Sequence, residues 1–400
     1  MTAPEVTRVQ ARKLLKKEKQ PGLFGGRYRF SPYMACGHGC IYCDGRFEKY
    51  HVQGDFDHDI VARVNTPDLL ADELPRLREP GPVCISSGVS DPYQPVEAEL
   101  LLTRRSAEVL AEGDRPVVIH TKSSLLLRDI DIWERLNRRA PVTVMVSLTI
   151  TDETVRKWLE PGASTVEQRL KLLSECSSRG IGTGVLAMPF VPFLTDGEEQ
   201  LSLLLGRIMA SGADFAMPGL LTLKEGRQKG FFFSSLRKAR PDLVEPLLKL
   251  YSDADRWGSP PGEYSAGFHE KVERVWGARG ADTMIPHRLY KGQFTLYDEF
   301  AILLGDMQTL YRRKGVKVGK LRTASRRFQE WVEARRRHTA RRRNLSYSMI
   351  DDYLRVMTRS GELGELLKNR KLGDFLREVE AGGVFDYLTL GLEGRGQNDG

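Results

Sequence analysis

The sequence predicts an α/β fold, a partial (β/α)6 barrel with an appended α-helical C-terminal domain. Three observations carry this expectation. Apolar β-rich runs alternate with amphipathic stretches about six times through the first 235 residues. Helical stripes replace that alternation after the turn-rich Gly258-Ser259-Pro260-Pro261-Gly262. The chain's 400 residues also exceed the about 250–300 at which a single core stops growing.

Taken in order, the expected strands are 27–33, 83–87, 117–121, 142–148, 184–188 and 215–221. Between them, Leu70-Leu74-Leu77, Ile132-Trp133-Leu136, Val166-Leu170-Leu173 and Leu203-Leu204-Ile208 repeat at helical spacing. Strand followed by helix predicts a parallel sheet with right-handed crossovers. Six units leave the barrel open, with functional residues gathered at the C-terminal ends of the strands. The expected division is a basic extension over 1–25, bearing Arg12, Lys13, Lys16, Lys17 and Lys19, then the barrel over 26–235. A helical domain over 236–393 and a disordered tail over 394–400 complete it. Ile302-Leu303-Met307-Leu310 and Ile350-Tyr353-Leu354-Met357 read as core stripes of the helical domain. His287-Arg288-Leu289-Tyr290-Lys291-Gly292 could reach the open barrel face. No uninterrupted apolar stretch approaches the about 18 residues of a membrane span. With no signal peptide read at the start, the expected setting is soluble, reducing and cytoplasmic.

Three of the five cysteines stand close together, in Cys36-Gly37-His38-Gly39-Cys40-Ile41-Tyr42-Cys43. Thiolates so spaced can converge on one metal centre, with Gly37 and Gly39 expected to take the left-handed angles that turn the sulfurs inward. Iron-sulfur clusters and structural zinc normally take four protein ligands. The missing one implies either a remote fourth ligand or an iron left open. Zinc held by the trio with His38 or a distant histidine is the alternative. Cys84 and Cys176, in apolar surroundings, read as core fillers.

Polar groups follow the expected strands. Ser86-Ser87-Gly88-Val89-Ser90-Asp91-Pro92-Tyr93-Gln94-Pro95 suits backbone contact with a ligand. Thr121-Lys122-Ser123 puts a cation at a strand mouth, Ser147 ends the fourth strand, and Glu160-Pro161 and Arg169 come next. Glu160 and Arg169 could equally form an ordinary surface ion pair.

The trio, preceded by Ser31-Pro32-Tyr33 and with an aromatic before its last cysteine, resembles the cluster loop of the radical S-adenosylmethionine (SAM) superfamily. The likeness implies a 4Fe-4S cluster on Cys36, Cys40 and Cys43. In that family the open iron chelates SAM, and electron transfer releases methionine and a 5′-deoxyadenosyl radical. A single cluster is implied, reduced by a donor such as flavodoxin or ferredoxin. Over about residues 25–225 the chain looks most like the DNA repair photolyase branch that includes spore photoproduct lyases. That likeness rests on the cysteine loop, Asp55-Phe56-Asp57 with Leu69-Leu70, Ser90-Asp91, Thr121-Lys122-Ser123, Ser147, and Glu160-Pro161 with Arg169. By position it implies a SAM-binding set of Tyr42, Ser90, Lys122, Ser147, Glu160, Arg169 and Met188. Tyr42 would lie beside the adenine, Lys122 would meet the carboxylate, and Ser147 would lie near the ribose. Arg169 would make a second anionic contact or orient Glu160, and Met188 would offer backbone groups to the adenine edge. Two departures set the chain apart from true spore photoproduct lyases. Gly88 stands where they carry a hydrogen-donating cysteine, and Asp44 where they carry a tyrosine.

The net charge of +8 is localised. Residues 316–343 carry eleven lysines and arginines against Glu330 and Glu333, a net +9, so the remainder sums to about −1. Arg335, Arg336, Arg337, Arg341, Arg342 and Arg343, with Phe328 and Trp331 free to stack or anchor, form an expected nucleic-acid face. The functional expectation is a radical SAM enzyme with lyase- or oxidoreductase-type chemistry on DNA or RNA. A protein or small-metabolite substrate, or a non-catalytic zinc-stabilised nucleic-acid-binding protein, are the alternatives.

Overall fold

The computed structural model describes residues 5–19, 21, 24–86, 88–340 and 347–393. The chain forms two compact units. Unit one comprises Met1–Lys17, Tyr28–Arg76 and Val83–Thr283. Unit two comprises Glu18–Arg27, Leu77–Pro82 and Met284–Gly400.

The strands of unit one are β1 (Glu5–Val9), β2 (Lys16–Lys17), β3 (Tyr28–Phe30), β4 (Tyr33–Met34), β5 (Asp59–Arg63), β6 (Val83–Ile85), β7 (Val117–Thr121), β8 (Val142–Ser147), β9 (Gly182–Phe190) and β10 (Phe215–Leu220). One sheet has the order β10-β9-β8-β7-β6-β3-β2. Its first six members are mutually parallel, and β2 is antiparallel at the edge. These six are the six expected strands, and they read as near-continuous apolar runs because parallel sheets are covered on both faces. Val142, Val144, Met145 and Val146 of β8 are buried together.

The helices in the crossovers are α1 (Thr66–Glu73), α2 (Glu97–Leu100), α3 (Leu102–Glu112), α4 (Ile130–Asn137), α5 (Glu153–Leu159), α6 (Val166–Ser178) and α7 (Glu198–Ala210), and α8 (Arg227–Ala239) follows the last strand. Local chemistry sets their ends. Asp152 caps α5, and Thr165 with Gln168 forms a capping box on α6. In α7 the buried stripe is Leu201, Leu204, Leu205 and Ile208, while Leu203, expected inside, is half exposed.

Three expectations shift. The strand over 27–33 splits into β3 and β4, because Pro32 has no N–H for a ladder and the Ser31 hydroxyl folds onto the Tyr33 carbonyl at 3.0 Å. Described residues of the expected basic extension over 1–25 take part in sheets. Its β1 pairs in parallel with β5 in a three-stranded sheet completed by β4, and the Leu14 and Leu15 N–H groups donate to the Glu73 carboxylate at 2.9 and 2.8 Å. The later division falls at 283/284 rather than at 235. After α8, α9 (Val244–Leu250) and α10 (Gly262–Trp276) remain with the sheet. The reason is apolar: Phe268, Val272 and Trp276 line one face of α10, Phe190 of β9 packs on Phe268 and Trp276, and the Trp276 indole donates to the Leu201 carbonyl at 2.9 Å. The Asp282 carbonyl then accepts from Ala216 N–H at 2.8 Å, covering the outer edge of β10.

Unit two is helical, with α11 (His287–Tyr290), α12 (Leu296–Arg313), α13 (Gly319–Ala340), α14 (Tyr347–Ser360), α15 (Glu362–Leu367), α16 (Arg370–Glu380) and a small hairpin of β11 (Phe385–Asp386) and β12 (Gly391–Leu392). Phe300, Leu303, Leu304, Phe328, Leu354, Leu363 and Leu376 centre its core. His287, expected to reach the barrel, lies inside this unit: it accepts from Phe385 N–H at 2.9 Å and meets Glu299 at 3.0 Å. The expected tail over 394–400 lies outside the described residues.

Two buried carboxyls of unit two have raised pKa values. Burial pushes Asp306, between the hydroxyls of Tyr290 and Tyr387 and near Arg313, up to about 7. Burial likewise pushes Asp351, which accepts from Leu296 and Tyr297 N–H, up to about 6. A carboxyl whose folded pKa exceeds its unfolded value holds its proton more tightly when folded. Its stabilisation is therefore full below about pH 4 and is lost as pH rises through about 7 for Asp306. Asp306→Asn is expected to flatten the fall in melting temperature between about pH 4 and 7, with a gain of at most about 4 kcal/mol at the upper end. Thermal unfolding of the full chain across pH checks this, and an unchanged pH profile would refute it.

Candidate functional site

The cysteine loop leaves β4 and ends in a 3-10 turn over Asp44–Arg46. Its left-handed residues are Ala35 (φ 63°) and Gly39 (φ 62°), so Gly39 turns as expected, while Ala35, a non-glycine, does what was expected of Gly37. Gly39 N–H bonds the Cys36 carbonyl at 3.3 Å, and Cys43 N–H bonds the Cys40 carbonyl at 3.2 Å. The loop is held from outside by parts of several crossovers. Gln94, fully buried after β6, accepts from Gly37 N–H at 2.8 Å and donates to the Ala35 carbonyl at 3.2 Å and the Ser90 hydroxyl at 3.0 Å. Beyond β8, Gly162 N–H donates to the His38 carbonyl at 2.8 Å, and the Leu159 carbonyl accepts from Ile41 N–H at 3.0 Å. The approach at Gly162 is so close that a Cβ there would stand 2.4 Å from the Gly37 oxygen. Gln228 of α8 donates to the Tyr42 carbonyl at 3.1 Å, and Arg46, paired with Asp57 at 2.5 Å, donates to the Cys40 carbonyl at 3.2 Å.

All five cysteines are free thiols. Burial pushes Cys36, Cys40 and Cys43 up, while Lys122 stands near enough to Cys40 and Cys43 to favour their thiolates. The three thiols interact electrostatically with one another around Cys40. Among the described residues no three His, Cys, Asp or Glu side chains are grouped tightly enough to hold a metal ion. A cluster of four irons is itself several ångströms wide and spreads its cysteine sulfurs around it. Cys84 and Cys176 are buried, as expected of core fillers.

Residues after β6 and β7 reach this loop, and Ser147 of β8 is linked to it through Arg169 and Glu160. After β6, Asp91 accepts from the Tyr93 N–H and Thr121 hydroxyl at 2.8 Å and from Lys122 N–H at 2.7 Å, and faces His38 Nδ1 at 3.5 Å. Burial pushes His38 down, toward the neutral imidazole. Ser90 is half-buried beside Gln94. At the end of β7, Lys122 is half-buried with its ammonium 5.8 Å from the centre of the Tyr42 ring, and among the described residues no carboxylate pairs with it. Ser147 closes β8, half-buried, and Met188 lies near the end of β9.

Glu160 and Arg169 do not form a surface pair. Their side chains are each 1% exposed and directly bonded. Glu160 also accepts from the Tyr42 hydroxyl, and Arg169 donates to the carbonyls of Ser147 at 2.8 Å and Ser164 at 2.9 Å. Burial alone would raise the Glu160 carboxyl, but Arg169, Lys122 and Tyr42 together hold it below the usual range. Burial and the neighbouring Glu160 push the Tyr42 phenol well up, so it stays protonated and donates. Arg169 thus has its guanidinium engaged in orienting Glu160 and, through it, Tyr42.

The arginine segment divides. Arg335 lies over the rings of Trp331 and Tyr353. Arg336 donates to the Lys19 carbonyl at 3.1 Å and approaches Glu79 at 3.9 Å, with its side chain 29% exposed. Arg337 is 73% exposed beside Glu333. Phe328 is buried in the core of unit two rather than free to stack. Arg341, Arg342 and Arg343 lie outside the described residues. The residues that sequence reasoning passed over are the clamps Gln94, Gln228 and Arg46 and the hub Asp91. Gln94 and Asp91 belong to the polar loop after the second expected strand, the only signal for Gln94, while Asp91 also stands in the Ser90-Asp91 pair of the resemblance. Nothing in the sequence marks Gln228 or Arg46.

The profile described as the Radical SAM superfamily matches residues 30–205. An uncharacterised protein of Mycobacterium tuberculosis is 33% identical over 229 residues, covering 56% of this chain and 67% of its own. An uncharacterised protein of Methanocaldococcus jannaschii is 31% identical over 199 residues, covering 48% of this chain and 71% of its own. A solved spore photoproduct lyase variant with bound AdoMet and dinucleoside spore photoproduct aligns with a TM-score of 0.49 and 17% identity, over 68% of this chain and 79% of that one. No helix among the described residues is long and apolar enough to cross a membrane. The superfamily's cofactors are an iron-sulfur cluster and SAM, and the residues present fit both: three free thiols on one braced loop, with a cation and hydroxyls at the neighbouring strand ends. The chain belongs to the radical SAM superfamily.

Proposed function

We propose that the protein holds a single 4Fe-4S cluster on Cys36, Cys40 and Cys43 and directs radical SAM chemistry at nucleic acid. The observation that carries the first part is the pairing of the braced thiol loop with Lys122, whose ammonium has no carboxylate partner among the described residues and lies 5.8 Å from the Tyr42 ring centre. When bound, the cluster supplies the electron that cleaves SAM into methionine and a 5′-deoxyadenosyl radical. The chain's own residues bind and orient. Lys122 receives the carboxylate of SAM, Ser90 and Ser147 offer hydroxyls, Met188 offers backbone groups, and the Arg169-Glu160-Tyr42 chain fixes the aromatic ring beside the adenine.

The nucleic-acid part rests on the likeness to the photolyase branch and on the basic character of α13. Spore-photoproduct chemistry itself is not part of the proposal. Gly88 has φ 72°, a conformation that a cysteine side chain would strain. Asp44 is bonded to Lys224 and accepts from the Tyr50 hydroxyl at 2.7 Å, so both departures are built into the surrounding structure.

Anaerobic reconstitution with iron and sulfide, followed by reductant and SAM, should release 5′-deoxyadenosine. Zinc as the sole bound metal, or an intact cluster that leaves SAM uncleaved, would overturn the reading. Lys122→Met is expected to weaken SAM binding about 10–100-fold, the scale of one hydrogen bond to a charged group. It should leave iron content unchanged. Equilibrium binding of SAM to the reconstituted protein measures this.

A further inference from the structure

We propose that unit two carries a pocket for a backbone phosphate of nucleic acid at the start of α13, away from the arginines that the sequence made conspicuous. The proposal rests on the nucleic-acid reading above and gives it a location. A cavity of about 410 Å3 is lined by Gly319, Lys320, Thr323 and Arg327 of α13 and by Leu367, Lys368 and Asn369 from the turn between α15 and α16. Positions 320, 323 and 327 recur at helical spacing and so share one face.

Three cations border this space and no acidic side chain does. Among the described residues Lys320, Arg327 and Lys368 have no carboxylate partner, unlike Arg336 and Arg337 further along the same helix. Like charges around one cavity repel, and an anion between them turns that cost into attraction. The first turn of α13 adds N–H groups that have no acceptor within the helix, and its positive end favours negative charge. The pocket is also braced. Arg327 donates to the Leu367 carbonyl at 3.4 Å, and Asn369 caps α16 through Leu372 N–H at 3.2 Å. Lys368 holds φ 50° at the end of α15, a left-handed setting that Asn369 N–H fixes by bonding the Gly364 carbonyl at 3.0 Å.

A phosphodiester fits this lining. It presents one negative charge and several acceptor oxygens to a set of donors, and the open trough leaves room for flanking sugars.

The test is binding of a short fluorescent DNA strand, its duplex and an RNA of the same sequence to the full chain, by anisotropy, across about 50–200 mM salt. In a Lys320→Glu, Lys368→Glu variant, affinity should fall at least about tenfold and the slope of log affinity against log salt should shrink by about 0.7–0.9, the share of one phosphate contact. Both positions are exposed, and a circular dichroism melt confirms folding. An Arg335→Glu, Arg337→Glu variant serves as the charge-matched control and should lose distinctly less. Equal loss in both variants, or no loss in the first, overturns the pocket and leaves the nucleic-acid reading standing. Full displacement by orthophosphate at matched ionic strength assigns the pocket to free phosphate and overturns the proposal as stated. Failure of the unaltered protein to bind any of the three nucleic acids overturns both readings.

Discussion

Arg169→Met is expected to destabilise unit one by about 3–5 kcal/mol, the cost of leaving a buried charge without its partner. The carboxylate of Glu160 would remain inside the protein with only the Tyr42 hydroxyl and the more distant Lys122 to answer it, and the carbonyls of Ser147 and Ser164 would lose their donor. Glu160→Gln on top of Arg169→Met removes the stranded charge. The double variant should therefore recover a large part of the loss, though not the two carbonyl contacts. Chemical unfolding of the parent, Arg169→Met, Glu160→Gln and the double variant forms a complete cycle. Additive losses would show that the two side chains do not act as a unit, against the geometry. The same variants test the site, because Tyr42 is held through Glu160.

Alanine at Cys36, Cys40 or Cys43 is expected to abolish 5′-deoxyadenosine formation and to reduce iron retained after reconstitution to background, while Cys84→Ala and Cys176→Ala retain both. The contrast follows from placement. The first three thiols share the loop clamped by Gln94, Gly162 and Gln228, whereas Cys84 lies within β6 and Cys176 within α6 among core side chains. Iron and sulfide analysis reads the effect without depending on a substrate. Full iron content in any of the three loop variants would exclude that cysteine from the ligand set.

The parallel strands were legible because burial on both faces leaves an apolar run with little else in it. β7 matches its expected span, and β8, β9 and β10 differ only at their ends. The N-terminal strand β1 was obscured because Glu5-Val6-Thr7-Arg8-Val9 buries almost nothing and is specified by its partner β5. The boundary at 283 was hidden for a related reason. Phe268, Val272 and Trp276 announce a helix but not which core they enter, and that choice depends on Phe190, far away in sequence. At the site, the placement of the three cysteines on one loop and of Lys122 and Ser147 at strand ends was readable because the strand pattern fixes where each strand stops. The buried setting of Glu160 and Arg169 was not, because an ion pair has the same sequence signature inside and outside. Nor was the division of labour along α13. Arg336 meets Glu79 and the Lys19 carbonyl, partners more than two hundred and fifty residues distant that no local pattern could indicate.

The clamps on the cysteine loop have a consequence for synthesis. Cys36 through Cys43 emerge early, yet the last brace, Gln228, follows about 185 residues later. At a translation rate of about 5–20 residues per second, the thiols spend roughly 10–40 seconds on a nascent chain before their loop can take its final shape. During that interval they are ordinary accessible sulfhydryls, open to oxidants and stray metals. Under the proposed cluster assignment, delivery of iron and sulfide to a finished receptacle would wait for nearly the whole of unit one, with the thiols kept reduced until then.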